Sequence, residues 1–100
     1  NVLREYRFTL LVDASFYDPA ASAGDEMLLQ GVADCVFEEN DALTVVDFKT
    51  DRVTAQEAPR RAEVYRGQLQ AYSDALSRIM EKPVARRVLY FFACGAEISL

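Results

Sequence analysis

Apolar and polar residues change rhythm along this chain at about Asp51. Before that point three stretches carry the β-branched and aromatic residues that suit a pleated surface: Tyr6–Val12 (YRFTLLV), Met27–Glu38 (MLLQGVADCVFE) and Leu43–Lys49 (LTVVDFK). Asp18-Pro19 and the small residues through Gly24 predict a loop between the first two, and Glu39-Asn40-Asp41-Ala42 a tight turn between the second and third. Gly31 interrupts the second strand and marks either a bulge or a close approach. Beyond Asp51 the apolar residues Tyr65, Leu69, Tyr72, Leu76 and Ile79 recur at spacings of four and three, one stripe of an amphipathic helix over 59–81. Pro59 suits its start and Lys82-Pro83 its stop. Gly67 inside it costs about 1 kcal/mol against alanine and invites a reason such as close packing. Val88–Phe92 (VLYFF) then reads as a buried strand and Glu97–Leu100 as a short last one. The order is βββαββ, an α/β or α+β sheet with one main helix packed on it.

The charged half of the third strand raises a chemical question. In Val45–Asp51 (VVDFKTD), alternation puts Leu43, Val45, Asp47 and Lys49 on one face. With the turn centred between Asn40 and Asp41, residues whose numbers sum to 81 oppose each other, so Asp34 faces Asp47. Carboxylates directly opposite on paired strands have β-carbons about 4.5–5.5 Å apart and repel. Three arrangements relieve this: one acid is protonated, Lys49 lies between them, or a divalent cation binds both. Oxygen ligands of this kind, with the Phe48 backbone carbonyl as a further donor, suit Mg²⁺ or Mn²⁺. A lysine two residues from such a site is placed to orient an attacking water and to stabilise the charge of a phosphorane-like state, the logic of metal-dependent phosphodiester hydrolysis.

Composition narrows the chemistry. One hundred residues with 51% hydrophobic content suit one domain with a modest core. No histidine is present, so Ser-His and Cys-His nucleophile mechanisms and histidine-rich zinc sites are excluded within this chain. Cys35 and Cys94 fit no C-x-x-C spacing and read as reduced core thiols. No run approaches the ~18 apolar residues of a membrane span and no signal pattern opens the chain, so a cytoplasmic protein is expected. The net charge of −5 hides an asymmetry: residues 1–51 hold 3 basic and 11 acidic groups, residues 52–87 hold 8 basic and 4 acidic. Such a split is compatible with a polyanion over the basic part and cations in the acidic part.

Gly31-Val32-Ala33-Asp34, Asp47-Phe48-Lys49-Thr50 and Gln68-Leu69-Gln70-Ala71-Tyr72 resemble, in order, the G-x-x-D, D-x-K and Q-x-x-x-Y motifs of PD-(D/E)XK nucleases of the RecB type. The wording QGVAD, VVDFKTDRV and YRGQLQAY is most similar to the C-terminal nuclease domains of AddA-type helicase–nucleases, and the likeness spans nearly the whole chain. The resemblance implies a restriction-endonuclease-like core, metal binding by Asp34 and Asp47, catalysis by Lys49 and support from Gln68 and Tyr72. It also implies DNA as substrate in double-strand break processing, with AddB-type protein as the partner. Tyr72 belongs to the helix's apolar stripe as well, whereas Gln68 flanks it.

Two departures shape the expectation. Nucleases of this type take a further metal ligand from a helix before the first strand, and these 100 residues contain no counterpart; Glu5 is the nearest acid. No phosphate-binding glycine loop occurs either. The chain, which begins at Asn1, is therefore read as an incomplete nuclease core cut from a longer helicase–nuclease, weakly active or inactive alone. Arg60, Arg61 and Arg66, near the motif helix, and Arg52 are candidates for DNA-backbone contact, and Asp51 for a turn cap. The competing readings are a standalone RecB-like nuclease, a non-cleaving DNA-binding module of the same fold, and an unrelated β-meander whose acids face solvent.

Overall fold

The computed structural model describes residues 2–16 and 18–100. Strands β1 (Val2–Asp13), β2 (Glu26–Glu39) and β3 (Ala42–Lys49) form an antiparallel meander; helices α1 (Ala58–Ala62) and α2 (Arg66–Met80) cross over to β4 (Val84–Phe91), which runs parallel to β3, and β5 (Ala96–Ser99) pairs antiparallel with β4. The five strands lie in sequence order in one mixed sheet. This is the expected βββαββ arrangement. β1 and β4 extend further towards the N-terminus than hydrophobic pattern alone indicates. Their added residues, Val2–Arg4 and Arg86 among them, are exposed, and ladder pairing rather than burial holds them.

Turn chemistry sets the β2–β3 register. Asn40 and Asp41 both take left-handed backbone angles (φ 54° and 61°), as a two-residue hairpin requires, and both residue types tolerate that region. The pairs Glu38 with Leu43, Val36 with Val45 and Cys35 with Val46 follow. A reciprocal pair closes the turn ahead of α1: the Glu57 N–H donates to the Thr54 hydroxyl at 3.2 Å, and the Thr54 N–H to the Glu57 carboxylate at 3.0 Å. The predicted single helix is broken, because residues 63–65 tighten into a 3₁₀ turn between α1 and α2. At the other end Glu81 stands in left-handed geometry, ahead of Pro83.

One face of the sheet carries the helices. Phe8, Ala33, Val36, Val45, Leu89 and Phe91 from the strands bury against Ala58, Ala62, Leu69, Ala75 and Leu76. Ile79, predicted for the same stripe, lies outside it at 36% exposed, whereas Met80 beside it packs against the core. Gly67 faces open space, with nothing within 4 Å of where a β-carbon would stand, so close packing is not what it serves. The opposite face leaves Leu11, Leu28, Val32, Phe48 and Phe92 exposed.

Candidate active site

The site lies where the β2–β3 ladder stops. Cys35 and Val46 are its last pair, and Asp34 and Asp47 occupy the next opposed positions. There the Phe48 N–H donates to the Asp34 carboxylate at 2.8 Å. A side chain thus takes over from the backbone ladder and fixes Asp34 beside Asp47. β2 changes phase at this point: half-buried and exposed residues alternate strictly from Met27 to Val32, then Ala33 and Val36 are both buried with Asp34 and Cys35 half-buried between them. In the β1–β2 register Glu5 stands opposite Asp34, flanked by the pairs Arg4 with Cys35 and Tyr6 with Ala33, and its backbone is left-handed (φ 49°). The shift in alternation turns Asp34 towards the helix-bearing face that Asp47 also occupies.

Asp47 is nearly buried, with its side chain 12% exposed. Burial first, and then the adjoining Asp34 carboxylate, push its carboxyl up to about 6 against the opposing pull of Lys49. The Lys49 ammonium sits 2.8 Å from the Asp47 carboxylate and is itself 16% exposed. Asp34, Asp47 and Lys49 are therefore drawn into one cluster of two acids and one base. Among the described residues no group of three or more His, Cys, Asp or Glu side chains is placed to hold a metal ion, so Glu5 does not complete a carboxylate set. The donors present are hard oxygens, with no histidine or thiolate among them, and their chemistry fits Mg²⁺ or Mn²⁺.

The helix motif is tied to the strand motif by contact. Tyr72 packs edge-on against Phe8, ring centroids 5.1 Å apart and planes at 87°. Its ring lies over Gly31, where an added β-carbon would fall 2.6 Å and 2.7 Å from Tyr72 ring atoms and 2.8 Å from the Phe8 ring. Gly31 thus marks a close approach rather than a bulge, three residues before Asp34. Gln68 is exposed, and its amide reaches the Tyr72 hydroxyl only at 3.5 Å, the long limit of a hydrogen bond.

Asp51 does not cap a turn with its side chain. It accepts from Arg61 Nε at 2.6 Å and from the Tyr65 hydroxyl, which lies 2.8 Å and 3.0 Å from its two oxygens. Arg61, followed by Tyr65, holds the Asp51 carboxyl below its ordinary range. The Tyr65 ring lies under the Lys49 ammonium, 4.0 Å from nitrogen to centroid, and the Arg61 guanidinium is 5.6 Å from the same ring. The sequence places Tyr65 in the apolar stripe and at the head of YRGQLQAY, with no site role; the spacing of Arg61 and Tyr65, one helical turn apart, was the available signal. The basic cluster divides accordingly: Arg61 is engaged by Asp51 and Arg66 by Glu63 at 2.6 Å, whereas Arg52 and Arg60 are exposed and enter no ion pair among the described residues. Cys35 and Cys94 are free and half-buried. No helix among the described residues is long and apolar enough to cross a membrane.

Comparison with known proteins bears on the family. A family model described as the PD-(D/E)XK nuclease superfamily matches residues 2–98. The chain is 38% identical over 101 residues to an ATP-dependent helicase/nuclease subunit of Bacillus cereus (strain ATCC 10987 / NRS 248) and to the protein of the same name from Bacillus thuringiensis subsp. konkukian (strain 97-27). It is 37% identical to that of Bacillus mycoides (strain KBAB4). Each alignment covers 92% of this chain and 8% of the relative, so the chain spans a small part of the curated proteins it matches. A mixed five-stranded sheet with its helix on one face, the ordered G-x-x-D, D-x-K and Q-x-x-x-Y motifs, and a family match over nearly every residue lead to one assignment: the chain belongs to the PD-(D/E)XK nuclease superfamily.

Proposed function

We propose that this chain is the single, partial nuclease domain of a longer ATP-dependent helicase–nuclease, and that it hydrolyses DNA phosphodiester bonds with a divalent cation during double-strand break processing for recombinational repair. The observation that carries the reading is the cluster of Asp34, Asp47 and Lys49 at the end of the β2–β3 ladder, with 2.8 Å between the Lys49 ammonium and Asp47. Asp34 and Asp47, with the Phe48 carbonyl, would hold Mg²⁺ or Mn²⁺, which when bound supplies positive charge for the phosphate and an acidified water. Lys49 orients the water that attacks phosphorus and offsets the negative charge that develops as the opposite P–O bond breaks. Gln68 and Tyr72 shape the wall beside Asp34, Tyr72 through its seat on Gly31. Arg52 and Arg60 are the better candidates for phosphate contact, because Arg61 and Arg66 already have carboxylate partners.

The relatives are named as one subunit of an ATP-dependent helicase/nuclease, which supports a partner subunit; the proposal makes that partner an AddB-type protein and the bacterial cytoplasm the place of work. That only two carboxylates converge among the described residues favours weak or no cleavage by these 100 residues alone. The full-length protein is expected to release nucleotides from linear duplex DNA in Mg²⁺ and to stop in chelator. Mn²⁺ titration should show a site that Asp34→Asn removes. DNA binding with no Mg²⁺-dependent product would instead identify a non-cleaving module.

A further inference from the structure

Lys49 has two partners, and they differ in what happens to them during catalysis. The first is the Asp47 carboxylate at 2.8 Å. In the proposed reaction that carboxylate is committed to the cation, and two cations compete for one anion. The second is the Tyr65 ring at 4.0 Å, which no step consumes. An aromatic face attracts an ammonium through its quadrupole.

The ring is itself held from two sides. Its hydroxyl donates to Asp51, which lies two residues beyond Lys49, just past the end of β3. Asp51 is in turn gripped by Arg61 Nε at 2.6 Å, from α1. Tyr65 closes the 3₁₀ turn between α1 and α2 and packs against the core. The clamp therefore ties the end of β3 to the helical crossover across the position of the Lys49 side chain. A lysine stem has four rotatable bonds and considerable rotamer freedom to lose, so an ordered partner that survives cation binding decides where its charge points.

We propose that Tyr65, locked by Asp51 and Arg61, is a positioning residue that holds the Lys49 ammonium over the carboxylate pair once the cation has claimed Asp47. The proposal rests on the reading of Lys49 as the group that serves hydrolysis. Tyr65 opens the YRGQLQAY stretch, but none of the G-x-x-D, D-x-K and Q-x-x-x-Y patterns includes it.

The test uses the full-length protein and single-turnover cleavage of linear duplex DNA in Mg²⁺. Tyr65→Leu should slow the chemical step about 10- to 100-fold, the scale of a misplaced catalytic group, with affinity for DNA and Mn²⁺ unchanged. Tyr65→Phe keeps the ring and should stay within about threefold of wild type, since only the tether to Asp51 is lost. In a Lys49→Gln background Tyr65→Leu should cause no further loss, whereas a merely structural role would add its own. Acylation of Lys49 by an N-hydroxysuccinimide ester, followed by mass spectrometry, reads the contact without activity: it should accelerate several-fold in Tyr65→Leu and not in Tyr65→Phe. Wild-type cleavage and acylation rates in Tyr65→Leu, or equal losses in the Leu and Phe variants, would overturn the proposal. Wild-type cleavage by Lys49→Gln alone would overturn the hydrolytic reading itself, and acylation would still report whether the ring holds the ammonium.

Discussion

Asp47→Asn should make the metal-free protein more stable at neutral pH while removing its proposed cation site. In the folded chain the Asp47 carboxyl is pushed from 3.8 to about 6, chiefly by burial and then by Asp34. The folded state consequently holds this proton more tightly than the unfolded chain does. Below the unfolded value both states are protonated and Asp47 carries no penalty; as pH rises through the folded value the group ionises at a cost. At about 1.36 kcal/mol per unit, a shift of roughly two units costs about 3 kcal/mol, which is the ceiling of the effect above pH 6. Asparagine has the same shape, carries no charge and can donate to Asp34 as the protonated acid does. It loses the ion pair with Lys49, but the rise to about 6 already includes that opposing pull. Urea denaturation in chelator, followed by circular dichroism from pH 4 to 8, should show Asp47→Asn more stable than wild type by about 1–3 kcal/mol at pH 8, with the gap closing towards pH 4. A variant less stable than wild type at pH 8, or a gap that ignores pH, would refute the claim that Asp47 ionises at a cost in its buried place beside Asp34.

Mn²⁺ binding should weaken below about pH 6, where protons compete for Asp47, approaching tenfold per pH unit; calorimetry in buffers of different ionisation enthalpy should detect the released proton. Gly31→Ala forces a β-carbon into the rings of Tyr72 and Phe8 and should destabilise by about 1–3 kcal/mol, and a stability equal to wild type would show that Tyr72 is free to leave its seat. Gly67→Ala meets nothing within 4 Å and should raise the urea midpoint, by up to about 1 kcal/mol in stability; a loss would point to a contact outside these 100 residues.

Much of this architecture was legible in the chain because its signals are local. The Asn40-Asp41 turn fixes the hairpin register, and the register alone brings Asp34 opposite Asp47. The four-three spacing announced the helix, and Lys82-Pro83 its end. What escaped was non-local. The break between α1 and α2 lies at the turn that ends in Tyr65, whose hydroxyl reaches back to Asp51, and no periodicity records a partner fourteen positions away. The phase shift at Ala33–Val36 goes with a left-handed residue at Glu5 on a neighbouring strand, which nothing in β2 itself encodes. Gly31 and Gly67 look alike in sequence; the tertiary fold gives one an aromatic ring and leaves the other in open space. Arginines that clustered by number separate by partner, Arg61 and Arg66 being held by acids.

The most direct measurement is the single-turnover rate at which the full-length protein cleaves linear duplex DNA in Mg²⁺, compared among wild type, Asp47→Ala and Lys49→Ala with ATP hydrolysis as the control for folding. Both variants are expected to keep ATP hydrolysis within about twofold of wild type and to lose at least about 10²-fold in cleavage, the usual scale for removing a group that stabilises charge in the transition state. Undiminished cleavage by either variant would contradict the assignment of Asp47 and Lys49 to the chemistry.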